Sequence, residues 1–144
     1  MIQRLYLVFG LLVCLGFYLS PAQAQSPADC QDFLFDLSDV RFHEIAAPTG
    51  YEAAWEVHIR QPLDHQNPSD GAFWQRLFVS HLDPDRPTVM VTEGYDRGRN
   101  YPSELATAIE ANQVVVEHRY YGQSVPDSMD YRFLNIEQAA GDLH

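Results

Sequence analysis

Apolar and polar positions alternate most clearly between Tyr51 and Arg60. Tyr51, Ala53, Trp55, Val57 and Ile59 fall on one face, and Glu52, Glu56, His58 and Arg60 on the other. A period of two predicts a strand with one covered face. The run Gln61-Pro62-Leu63-Asp64-His65-Gln66-Asn67-Pro68 then supplies turn residues, closing at Gly71. A second strand is predicted over Phe73–His81, with Phe73, Leu77 and Val79 on one side and the charged Arg76 on the other. Two such strands joined by a loop predict an antiparallel hairpin. Upstream, Asp29 is placed to cap a short helix through Phe33, Leu34 and Leu37.

Past the hairpin the pattern changes. Pro87 to Thr92 is short and continuously apolar at its centre, as for a strand covered on both faces. A glycine-containing loop spans Glu93 to Tyr101. Pro102 suits the first turn of a helix, with Leu105, Ala106, Ala108 and Ile109 on its buried face and Asn112 and Gln113 at its end. Val114 to His118 reads as a second buried strand. Strand, helix and strand over this distance predict a parallel, right-handed βαβ unit. After a loop over Arg119–Asp130, Asn135 and Gln138 form a capping box for a last helix, whose apolar stripe is Ile136, Ala139, Ala140 and Leu143. The fold class is therefore α/β, a mixed sheet with an antiparallel hairpin first and a parallel βαβα continuation. No strand is predicted after the last helix, so the second buried strand is expected to be an open, aggregation-prone edge.

The chain opens on a different pattern. Arg4 is followed by the uncharged apolar run Leu5–Leu19, the breakers Ser20 and Pro21, and the small-x-small site Ala22-Gln23-Ala24. This predicts a cleaved signal peptide over residues 1–24 and a domain over residues 25–144. The run is shorter than the roughly 20 residues that a spanning helix needs. The expected location is secreted or periplasmic, with no membrane attachment after cleavage. Cys30 is then the single cysteine of the mature chain, and its pairing is left open.

Charge narrows the partners. The formal net charge is −11, and all nine basic residues are arginine. Nucleic acid is excluded as a partner, because phosphate binding needs a basic patch. The six histidines show no HExxH motif or His/Cys pair at metal spacing, so no metal and no cofactor is expected. Ser80 and Ser124 lie in no Gly-x-Ser-x-Gly setting, so neither is a candidate nucleophile. His65, Asp83 and Asp85 read as turn residues.

In open parallel sheets, ligands bind beyond the carboxyl ends of the strands. Two segments are predicted there. In Thr92-Glu93-Gly94-Tyr95, the glycine allows a tight turn that presents N–H groups to an oxyanion. Glu93 is a carboxylate able to receive a cation such as a peptide's amino group. In Glu117-His118-Arg119-Tyr120-Tyr121-Gly122-Gln123-Ser124, Tyr120 and Tyr121 are candidate pocket walls. Glu117 and Arg119 are expected to pair with each other and organise the loop.

These segments, together with Gln61–Pro68, Phe73, Gln75-Arg76, Arg86-Pro87, Val125-Pro126 and Gln138–His144, resemble the N-terminal part of the secreted bacterial serine tripeptidyl aminopeptidases, the PS-ten peptidase family. More distantly they are similar to lysosomal prolyl carboxypeptidase and its relatives. The resemblance runs from about Tyr51 to the end. It implies an α/β-hydrolase fold and a Ser-Asp-His triad that cleaves peptide substrates, releasing short peptides from a free amino terminus. It implies that the N–H of Gly94 or Tyr95 completes the oxyanion hole and that Glu93 helps to hold the substrate's amino group. In the family the nucleophile follows the helix that begins at Asn135, so no catalytic residue is assigned within these 144 residues, and the chain alone is expected to be inactive. The contrasting expectation is a small exported, non-catalytic binding module that completes its sheet with a partner strand.

Overall fold

The computed structural model describes residues 27–144. The signal segment lies outside the described residues. Among those described, no helix is long and apolar enough to cross a membrane.

The order of elements is α1 (Pro27–Asp36), β1 (Val40–Ile45), β2 (Ala53–Pro62), β3 (Ala72–His81), β4 (Thr88–Thr92), α2 (Glu104–Ala108), β5 (Asn112–Val116) and α3 (Ile136–Gly141). Single 3-10 turns occupy Pro68–Asp70 and Tyr131–Phe133. The five strands form one mixed sheet in the order β1-β2-β3-β5-β4. All neighbours are antiparallel except β4 and β5, which are parallel.

The β2–β3 hairpin forms as its alternation predicts. Trp55 lies opposite Val79 and Val57 opposite Leu77. At its loop, Leu63 N–H donates to Gly71 O at 2.9 Å, and Gly71 holds a positive φ of 122°, a conformation open to a residue without Cβ. Ala53, Trp55 and Val57 form a core packed by Cys30 and Leu34 of α1 and by Val40 and Phe42 of β1. α1 begins at Pro27, so Asp29 sits inside the helix and does not cap it.

Several elements differ from expectation. Strand β1 is not signalled: Val40-Arg41-Phe42-His43 alternates too briefly before Glu44 interrupts it, and the strand is held by pairing with β2. Strand β4 is not covered on both faces. It is an edge of the sheet, with β1 the other; its residues alternate between exposed and half-buried, and Met90 is 55% exposed. The expected open edge, β5, lies between β3 and β4 and is paired on both sides. It also starts earlier than predicted, at Asn112, and leaves Glu117 and His118 beyond its end.

The helices bury other faces than their apolar stripes suggest. In α2, Ala106 is buried, but Leu105 and Ile109 are exposed. Its cap is Ser103, whose side chain accepts from Ala106 N–H. In α3, Asn135 caps as predicted, accepting from Gln138 N–H at 2.9 Å. The second half of the capping box is absent, because the Gln138 side chain turns to Asp64 and the His65 backbone. The buried residues at α3 are Gln138 and its C-cap Asp142, while Ile136 is 88% exposed.

Candidate active-site cleft

The site is built by two buried charges at the end of β5. Glu117, the first residue after the strand, is 1% exposed. Its Oε1 accepts from Arg76 Nη2 at 2.5 Å and from the Arg97 backbone N–H at 2.9 Å. Its Oε2 accepts from the N–H groups of Gln123 and Ser124 and from the Ser124 hydroxyl, at 2.9, 3.0 and 2.8 Å. Burial opposes ionisation here, but the bonds from Arg97, Arg76, Ser124 and Gln123 outweigh it and hold the carboxyl below its ordinary value. Gly122 has a φ of 53°, and a Cβ there would lie 2.1 Å from Glu117 Oε1, so the loop wraps the carboxylate too closely for a side chain.

The predicted pairing of Glu117 with Arg119 does not occur. Arg119, fully buried, meets Asp142 instead. Its Nε and Nη2 donate to Asp142 Oδ2 and Oδ1 at 2.8 and 2.6 Å. The remaining donors reach the carbonyls of Leu63, Phe133 and Pro62. All five N–H groups of the guanidinium are thus used. The two partners part because Glu117 meets Arg76 of β3, whereas Arg119 reaches the hairpin loop and α3. Arg76, read as the outward side of β3, is 5% exposed for the same reason. His65 joins this cluster, Nε2 to Asp142 Oδ1 at 2.8 Å.

These clusters place the two predicted segments side by side. Glu93 N–H donates to Val116 O at 3.0 Å, and His118 N–H donates to Tyr95 O at 3.2 Å. Between the strand ends and α3 opens a cavity of about 440 Å³, lined by Thr92, Glu93, Val116 and His118 on one side and by Ala139, Ala140 and Leu143 on the other. Glu93 reaches it as a partly exposed carboxylate, with Oε1 taken by Arg97 Nη1. Among the described residues, Glu93 Oε2 and the backbone N–H groups of Gly94 and Tyr95 have no hydrogen-bond partner.

The two candidate tyrosines separate. Tyr121 packs edge-on against Tyr95 at 5.3 Å and His118 at 5.6 Å, beside the cavity. Tyr120 is buried with a φ of 69°, and its hydroxyl donates to Asp130 O at 2.6 Å. Neither lines the cavity directly. Ser124 is committed to Glu117 and the Arg76 backbone N–H, and Ser80 accepts from Asn100. Arg97 and Asp142 were not singled out in the sequence. The available signal for Arg97 was its position four residues after Glu93.

A cleft at the carboxyl ends of the parallel strands β4 and β5, with the Glu93 carboxylate in its wall, lies where open parallel sheets bind ligands. The chain belongs to the PS-10 peptidase S37 family, which matches residues 23–144. The chain is 39% identical over 118 residues to the prolyl tri/tetrapeptidyl aminopeptidase of Streptomyces mobaraensis, an alignment covering 81% of this chain and 24% of that protein. It is 31% identical over 113 residues to the probable serine protease EDA2 of Arabidopsis thaliana, covering 70% and 23%. It is 27% identical over 101 residues to serine protease vicPb of Bipolaris victoriae (strain FI3), covering 59% and 19%. The chain thus spans less than a quarter of the length of these curated relatives.

Proposed function

We propose that this chain is the N-terminal portion of an exported serine aminopeptidase that releases short peptides, tripeptides among them, from free amino termini. The segment Thr92–Tyr95 carries this reading. Its Thr92 and Glu93 line the cavity, and one Glu93 carboxylate oxygen and the N–H groups of the next two residues, Gly94 and Tyr95, are unpartnered among the described residues. Unpartnered amides suit an oxyanion, because they stabilise the charge that develops on a carbonyl oxygen without having to reorganise. The carboxylate suits a substrate ammonium group. The family and the aminopeptidase relative support the serine-peptidase chemistry. The strand order, with an antiparallel hairpin leading to a parallel pair, supports an α/β-hydrolase sheet that continues beyond β4. In that reading the nucleophile, its acid and its histidine lie outside these residues, and the 144-residue chain alone has no activity.

The test is cleavage of free and N-acetylated tripeptide substrates by the full-length enzyme and its Glu93→Gln variant. The expected result is a preference for the free amino group that shrinks in the variant. An unchanged preference removes Glu93 as the anchor. A full-length protein that cleaves neither substrate overturns the peptidase reading.

A further inference from the structure

We infer that Arg97 is the positioning residue of the cleft, fixing the Glu93 carboxylate and the Gly94–Tyr95 amides in one geometry. The inference rests on the reading of Glu93 as the amino-group anchor. Arg97 is 6% exposed and is held at both its backbone and its side chain. Its N–H donates to Glu117 Oε1 at 2.9 Å, and its carbonyl accepts from Arg76 Nη2 at 2.6 Å. Its guanidinium lies over the Tyr101 ring at 3.4 Å and donates from Nε to Arg99 O at 3.0 Å and from Nη2 to Tyr101 O at 2.9 Å. Nη1 donates to Glu93 Oε1.

Each of these contacts removes a freedom from the group that touches Glu93. The backbone bonds tie residue 97 to the buried Glu117–Arg76 pair. Stacking fixes the plane of the guanidinium, and the two carbonyls fix its rotation within that plane. Nη1 then meets a single oxygen of Glu93, a residue of the cavity wall, and leaves Oε2 without a partner among the described residues. The side chain of a free glutamate would lose rotamer freedom on binding a ligand, and here it is ordered beforehand. The same hold spans both ends of the loop from 93 to 97, and so sets where Gly94 and Tyr95 turn.

Arg97→Lys separates positioning from charge. Lysine keeps the positive charge, so the field at Glu93 is retained, but it has no planar fork to meet two carbonyls and a carboxylate at once. The measurement is the ratio of kcat/KM for a free tripeptide substrate to that for its N-acetylated form, in the full-length enzyme. This ratio does not depend on how much enzyme is folded, so lost stability alone leaves it unchanged. Arg97→Lys is expected to lower the ratio roughly tenfold, corresponding to about 1.4 kcal/mol of binding. In a Glu93→Gln background it should lower the ratio no further, because both changes act on one interaction. A wild-type ratio in Arg97→Lys, or losses that add in the double variant, overturns the inference while leaving the enzyme reading in place. A wild-type enzyme with no preference for free amino groups overturns the anchor reading and this inference together.

Discussion

Among the described residues, three buried side chains carry a guanidinium. Arg76, Arg97 and Arg119 are each 6% exposed or less. Each serves several acceptors from one planar group, which an ammonium cannot do. Glu117 shows how much rests on such a pair. Glu117→Gln keeps the shape but leaves Arg76 without its counter-charge, and we expect a loss of about 3–5 kcal/mol in urea unfolding. The pH dependence has a definite sign. The folded carboxyl titrates below its unfolded value of about 4.3. Its contribution is therefore fully present above that value and is lost as pH falls through the folded one. Asp64 shifts in the same direction, held down by the Gln66 N–H and by Gln138. Lowering the pH from about 5.5 to about 3 should destabilise wild type more than Glu117→Gln, with a residual loss in the variant from groups such as Asp64. Equal losses in the two proteins would remove Glu117 as the sensitive group.

At the scale of elements, α3 docks by its polar side. Gln138 and Asp142 face the hairpin loop, where they meet Asp64, His65 and Arg119, while Ile136 lines the open cavity and is 88% exposed. The apolar stripe predicted the opposite orientation. Asp142→Ala should cost about 3–5 kcal/mol, because it strands a buried guanidinium. Ile136→Ala in this chain should stay within about 0.5 kcal/mol. Urea titrations of both variants decide between the two faces, and a larger loss at Ile136 would favour the stripe. The hairpin was legible because the alternation of β2 extends over most of its ten residues, although β3 buries residues on both faces, Phe73 and Gln75 on one and Arg76, Phe78 and Ser80 on the other. β1 was not legible, since six residues with a charge at Glu44 take their conformation from the neighbouring strand. Strand and helix ends were misplaced by a few residues where a side chain from elsewhere supplied the partner, as Asn112 does by receiving Leu82 N–H at 2.7 Å.

For the whole molecule, the sheet order decides which surface is vulnerable. β4 is one of the two edges and carries Met90 at 55% exposure. An apolar, unprotected edge invites pairing with another strand, and a lysine on such an edge opposes it. Met90→Lys in the 144-residue chain should reduce light scattering on heating, with little change in the unfolding midpoint at low concentration. If scattering is unchanged, aggregation starts elsewhere.

By itself the sequence determined the α/β class, the hairpin, the Asn135 cap, and the two loops that follow β4 and β5. These follow from local periodicity, turn chemistry and chain order, each readable within a dozen residues. Only the tertiary structure decided which charge pairs with which. It placed Glu117 against Arg76 and Arg119 against Asp142, and it set Arg97 over Tyr101 with its reach to Glu93. It also decided that β5 lies inside the sheet and β4 at its edge. The physical reason is one of range. A buried charge needs a partner wherever the fold brings one, and the partners here stand 41 and 23 residues apart for the two buried pairs, beyond what any local pattern records.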